Sequence, residues 1–263
     1  PVVRTPSIDL LAEQGVLFEH AYCNSPLCVP SRMSFLTGQR VQDIEIWDNN
    51  TQLPPGSPTW ARALGAAGYD VILDGKMHIA GTDRLQGFTE QISHDVDDPN
   101  SMPVPDWKHG AVPGVDFRLF EVGFRKEAEG YRDIDDEVAE RAVSFLLRRP
   151  TAKTDTPWVL VAGFHGPHPR WYVEERYLDL YPADELPLPD FPRERLLEQN
   201  RVYLRNRVMR GSRAAGDPLE DVQRARQHFF AKVTRVNERI GRTLSALEES
   251  GLADDTIVVY TSD

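Results

Sequence analysis

Three short apolar runs each break off into a group of polar, chemistry-bearing residues, and this pattern constrains the fold more than any other. Tyr69–Leu73 leads into Gly75-Lys76-Met77-His78, Pro157–Phe164 into His165-Gly166-Pro167-His168, and Thr256–Tyr260 into Thr261-Ser262-Asp263. Runs of this length and composition read as buried strands. Between them lie stretches with apolar residues at helical spacing. Ser57-Pro58 opens one, with Trp60, Leu64 and Ala67 on one face and Gly68 as its stop. Asp133–Arg149 is another, with Val138, Ala142, Phe145 and Leu146 as its stripe. A third runs from Leu219 to Ser250 through Phe229, Val233, Val236, Ile240, Leu244 and Leu247, and stops at Gly251. Strands alternating with helices predict an α/β chain, a mostly parallel sheet flanked by helices. Reactive groups in such folds collect at the carboxyl ends of the strands. If the chain stays extended past Leu73, Lys76 and His78 face one side, because they are two residues apart.

The most distinctive polar stretch is Cys28-Val29-Pro30-Ser31-Arg32-Met33-Ser34-Phe35-Leu36-Thr37-Gly38. Pro30 suits a first helical turn and Gly38 the position just past a helix end. Met33, Phe35 and Leu36 supply residues to bury. Cys28 then lies at or just before a helix N-terminus, where the dipole and unpaired N–H groups favour an anion. Arg32, about one turn on, can aim a planar fork of donors at the same point. A thiol, an arginine and a helix start converging in this way predict a nucleophile in an oxyanion-binding site. The alternative is that Cys28 is a small buried hydrophobe and Pro30 merely starts a helix. A second helix, opened by Thr5-Pro6 and closed by Gly15, packs ahead of it, and residues 15–18 read as extended.

With 263 residues and 40% hydrophobic content, the chain can build one α/β domain over 1–263. The net charge of −11 argues against nucleic acid as a partner, although one positive pocket is enough for an anionic substrate. No run approaches the ~18 apolar residues of a membrane span. No charged-then-apolar leader is seen, which reads as cytoplasmic. The two cysteines, Cys23 and Cys28, cannot make a disulfide framework, and pairing them would block the site. Asp135, Asp136 and Glu137 look like a metal cluster but are better read as complementing a helix dipole. Residues 92–118 are rich in Asp, Pro and Gly and form a long loop holding His94, Trp107 and His109. Trp107 either walls a pocket for a quaternary ammonium or is an isolated surface aromatic. Residues 181–192 read as a proline-rich connector, and 193–210 as a charged helix.

Cys-x-Pro-Ser-Arg with Thr37-Gly38, and Gly75-Lys76-x-His78 after a Gly-Tyr-x-Val strand, together resemble the motifs of the type I, formylglycine-dependent sulfatases. Gly81–Phe88 is most similar to the choline-sulfatase-like members, and other parts resemble iduronate-type sulfatases. The resemblance implies the alkaline-phosphatase-like fold and the roles that go with it. Cys28, oxidised to formylglycine by the family's generating machinery, would be the nucleophile, and Arg32 would hold it. Lys76 and His78 would bind sulfate oxygens. His168, with His165 as runner-up, would assist the leaving alcohol. Asp263 would ligate Ca²⁺, and Asn49 would touch substrate unless it is an ordinary turn asparagine. The implied substrate is a small-molecule sulfate ester, in a protein with no membrane or nucleic-acid partner and room for a homo-oligomer. Two alternatives stand: a phosphonate or phosphate ester hydrolase of the same superfamily, and a non-catalytic fragment that keeps the fold. The resemblance also implies a strand carrying an Asp-Asp pair before Pro1 and a C-terminal subdomain after Asp263. On that reading the chain is an incomplete catalytic domain that alone binds Ca²⁺ weakly and turns over little substrate.

Overall fold

The computed structural model describes residues 2–95, 124–149, 156–188 and 218–263, with 190, 195, 198, 200 and 201 between the last two stretches. The chain forms two compact units. The first comprises Ile8–Gly114, Asp133–His165 and Arg239–Asp263. The second comprises Pro1–Ser7, Val115–Arg132 and Gly166–Glu238.

The first unit is built on β1 (Asp70–Gly75), which runs parallel to β2 (Glu90–Gln91) on one side and β4 (Trp158–Gly163) on the other. Register with β4 runs unbroken from Asp70 opposite Trp158 to Gly75 opposite Gly163. Val71, Ile72 and Leu73 are all buried, as a parallel strand covered on both faces requires. Helix α2 (Cys28–Thr37) buries Val29, Met33 and Leu36 in a core with Val71, Leu73, Met77 and Phe88. Phe35 departs from expectation: it is 53% exposed, because Met33 and Leu36, three apart, share the inward face and Phe35 falls outside it. Its ring instead stands edge-on to Trp60. Helix α4 (Trp60–Ala66) begins where Thr59 accepts the Arg62 N–H at 3.1 Å. The short helix α3 (Val41–Ile44) follows α2.

Helix α5 (Ile134–Arg148) covers β1 and β4 and opens on a capping box between Asp133 and Asp136. Its acidic start does more than complement a dipole. Asp136 is buried and paired with Arg239 at 2.8 Å, and Asp135 is buried and accepts the His165 N–H at 2.6 Å. Removing Arg239 or Asp136 would break this buried ion pair, a costly change.

The second unit contains a parallel pair, β3 (Phe124–Glu127) and β5 (Trp171–Glu174), that sequence patterning did not announce. Four residues with charges among them carry no strand signal of their own. Val173, Tyr177, Tyr181 and Ala231 form its core, the last contributed by α7 (Leu219–Glu249). Tyr177 lies on the short helix α6 (Glu175–Leu178) that continues β5. Arg235 is fully buried and donates to Glu174 at 2.9 Å and to the Tyr131 carbonyl at 3.0 Å.

Helix α1 (Pro6–Gln14) forms as expected, but residues 15–18 are irregular and largely exposed rather than strand-like. The strand expected over Thr256–Tyr260 does not form: no described strand pairs with it, and Ile257 is 92% exposed. The helix expected over 193–210 lies almost wholly outside the described residues. Among the described residues no helix is long and apolar enough to cross a membrane.

Candidate active site

Cys28 is the first residue of α2, half-buried and with a free thiol. The turn that carries it is held from a distance. The N-cap, Leu27, offers no side-chain acceptor. Asn49, twenty residues on, supplies one, its Oδ1 accepting the Val29 N–H at 3.0 Å. Ser31 N–H donates to the Leu27 carbonyl at 3.0 Å, and Pro30 has no N–H to give. Asn49 is engaged with the helix start, so its carbonyl oxygen is occupied by the protein. The helix N-terminus retains its dipole, but most of its first-turn amides are already satisfied. Gly38 ends the helix at φ 68°, a left-handed conformation that suits glycine, with its N–H on the Ser34 carbonyl.

The second part of the site is the turn after β1. Gly75 has φ 81°, and a side chain there would come within 2.4 Å of the Gly163 carbonyl oxygen and 2.6 Å of Val138. A side chain at Gly163 would come within 2.2 Å of the Lys76 carbonyl oxygen. The ends of β1 and β4 can therefore approach this closely only with glycine in both places. Lys76 N–H donates to the Gly163 carbonyl at 2.8 Å. Beyond Gly75 the chain leaves the strand, so the extended arrangement foreseen for Lys76 and His78 does not occur. His78 instead takes a left-handed backbone, φ 59°, and is buried.

Lys76 projects to the start of α2, its Nζ 3.7 Å from Cys28 Sγ. The residue is only 4% exposed, and among the described residues no carboxylate lies within ion-pair distance of that ammonium. A buried cation without a counter-ion is costly unless an anion comes to it. Arg32 takes a different role from the one foreseen. Its Nη1 donates to the Lys76 carbonyl at 2.6 Å and its Nε to Asp263 Oδ2 at 2.8 Å, and neither reaches Cys28. It props the Lys76 backbone and ties the chain's last residue to α2.

Cys28, Arg32, Lys76 and Asp263 are thus linked by direct contact in the first unit, with Asn49 on the neighbouring Val29 amide and His78 two residues from Lys76. His165 belongs to the same unit, anchored through its backbone to Asp135. His168 belongs to the second unit. Its ring is exposed and Nδ1 lies 2.6 Å from the Pro169 carbonyl. A carbonyl only accepts, so Nδ1 is the protonated nitrogen. Trp107 lies outside the described residues. A cleft of about 290 Å³ lined by Gln91, Ile92, Ser93, His94 and Arg141 includes none of the residues expected to act on substrate.

The described residues do not fit the calcium site implied above. Among them no group of three or more His, Cys, Asp or Glu side chains is disposed to hold a metal. One Asp263 carboxylate oxygen, Oδ2, accepts from Arg32. One such carboxylate is far from the six to eight oxygens Ca²⁺ takes. Position 28 does fit a modified nucleophile: it is partly accessible, at a helix start, beside a buried ammonium.

The sequence profile of the sulfatase family matches residues 1–263. The chain is 29% identical over 271 residues to the choline-sulfatase of Rhizobium meliloti (strain 1021), covering 99% of this chain and 52% of that protein. It is 28% identical over 288 residues to the iduronate 2-sulfatase of Mus musculus, covering 100% and 50%. The chain thus spans about half the length of the curated relatives it matches. The phosphonate monoester hydrolase of Agrobacterium radiobacter shares its fold, with a TM-score of 0.69 at 21% identity, over 97% of this chain and 56% of that one.

Proposed function

The chain belongs to the sulfatase family, and we propose that it hydrolyses a sulfate monoester at the site where Lys76 meets Cys28. The observation that carries this is the Lys76 ammonium: 4% exposed, without a carboxylate partner among the described residues, and in contact with the Cys28 sulfur. Such a group binds an anion placed at residue 28 and stabilises negative charge that grows there. The contact falls on the one cysteine whose surroundings, Cys-x-Pro-Ser-Arg, match the family's modification motif.

Converted to formylglycine, position 28 would supply a hydrated aldehyde as the nucleophile toward sulfur. Lys76 neutralises the sulfate oxygens, and its main chain is held for that task by Arg32 and Gly163. His78, in the same turn, is the second group offered to those oxygens. The choline-sulfatase relative makes a choline-type ester the first substrate to assay.

Mass spectrometry of the Cys28 peptide, from a host with the generating machinery, is expected to show the thiol replaced by an aldehyde. Paired assays of the full chain on sulfate and phosphonate monoesters are expected to favour sulfate. An unmodified thiol in that host, or preference for phosphonate, would overturn the proposal.

A further inference from the structure

We propose that Asp95 is a positioning residue for the hydrolysis proposed above, bracing the backbone on both sides of His78 and so setting where Lys76 and His78 point. The role in catalysis rests on the sulfate-ester reading of the site, while the bracing itself does not.

A single oxygen, Asp95 Oδ2, accepts the N–H of Ile79 at 3.1 Å and lies 3.4 Å from the N of Met77. These are the residues immediately before and after His78, whose φ of 59° is a conformation side chains rarely adopt. A strained residue of this kind persists only where its surroundings over-determine it. The rest of the turn is held in the same manner. Ser93 Oγ accepts the Gly75 N–H at 2.6 Å, the Gly163 carbonyl accepts that of Lys76, and Arg32 holds the Lys76 carbonyl. Ser93 and Asp95, two apart, thus face Gly75, Met77 and Ile79, each two apart, in the manner of a neighbouring strand.

That pairing is not an ordinary one. Beyond Ile92, whose N–H reaches the Leu73 carbonyl, side-chain oxygens take over from main-chain carbonyls as the acceptors. A side chain can accept from the amides of a left-handed turn that a straight strand could not follow. Both amides converge on this one carboxylate oxygen. The apolar side chains of Met77 and Ile79 are buried, so the polar bracing fixes the backbone while packing fixes the flanks.

The test compares Asp95→Ala with Asp95→Asn in the full protein with Cys28 converted, on the sulfate monoester that the parent cleaves. Asp95→Ala is expected to lower kcat about 100-fold, the cost of small misplacements at a reacting centre, with KM changed less than about threefold. Asp95→Asn keeps an oxygen that can accept both amides and is expected to recover most of the loss. The midpoint of thermal unfolding, followed alongside, is expected to stay close to the parent's in both. In ¹H–¹⁵N spectra the Met77 and Ile79 amides should move in Asp95→Ala and stay near their parent positions in Asp95→Asn. Parent-like kcat in Asp95→Ala, or equal loss in both variants, would overturn the positioning role. Unmoved Met77 and Ile79 amides would overturn the bracing whatever the activity. A parent protein without sulfate release would instead count against the reading of the site.

Discussion

The runs Val71-Ile72-Leu73 and Ile257-Val258-Val259 have the same apolar, mostly β-branched character, and each leads to a polar residue that meets Arg32. From the first, Lys76 offers its carbonyl; from the second, Asp263 offers its carboxylate. Their structures diverge. The first run is buried between two parallel neighbours, β2 and β4. The second has no strand partner among the described residues, and Ile257 and Val259 stand 92% and 78% exposed. Strand-forming composition states only that a segment fits a pleated, half-buried surface. A strand appears where other edges supply hydrogen-bond partners. The polar ends differ in step: Lys76 is buried, whereas one third of the Asp263 side chain is exposed. Arg32 joins a buried residue to a partly exposed one.

Truncating an apolar residue in each run should give the widest contrast. Leu73→Ala, which opens a hole in the first unit's core, is expected to cost about 2–5 kcal/mol in urea unfolding. Ile257→Ala should change stability by less than about 0.5 kcal/mol. A cost near 2 kcal/mol for Ile257→Ala would mean that the second run is packed in solution.

The polar ends should separate in function as well as in stability. Lys76→Ala is expected to lower kcat/KM for the sulfate ester by about 10²–10³, the range for losing one preorganised charge-stabilising donor. Asp263→Asn removes a partly exposed ion pair with Arg32 and should cost less than about 1 kcal/mol of stability. A Lys76→Ala enzyme with parent-like kcat/KM would remove the proposed basis for binding the anion.

A third contrast uses pH. Asp74, directly after the buried run, is 0% exposed, and among the described residues no hydrogen bond of ordinary geometry reaches its oxygens. Burial pushes its carboxyl up to about 6, while the nearby Ser93 hydroxyl and Arg141 pull it back in part. The folded state therefore holds the proton more tightly than the unfolded chain. The resulting stabilisation is full below the ordinary value of 3.8 and is lost as pH rises through about 6. Asp74→Asn should flatten the stability profile over that window by about 3 kcal/mol, read as Tm against pH. An unchanged profile would place the titration elsewhere.

Much of the site was legible because its parts are local. Cys28-Val-Pro-Ser-Arg can only begin a helix in a few ways, and Pro30 and Gly38 mark that helix at both ends. Gly75-Lys76-x-His78 after an apolar run places two basic residues at a strand's end whatever surrounds it. The supports were not legible. Asn49 capping α2 from twenty residues away, and Asp95 bracing His78, leave no periodicity and fit no motif that marks them. Arg32 reads as a fork aimed at the nucleophile, and only the arrangement of β1 beside α2 turns it toward the Lys76 carbonyl. The pair β3–β5 stayed hidden because its strands are four residues long and mix charges with apolar groups.

Short-range geometry needs only a few consecutive residues, so the sequence by itself determined where α2 begins and ends and that β1 and β4 are strands. Whether an apolar run becomes a strand, whether a helix amide is left for a ligand, and whether an arginine binds substrate or scaffold depend on partners remote in the chain. Those partners compete for the same hydrogen bonds. Only the tertiary structure decides among them, because most buried donors and acceptors are satisfied by whichever group the packing brings within about 3 Å.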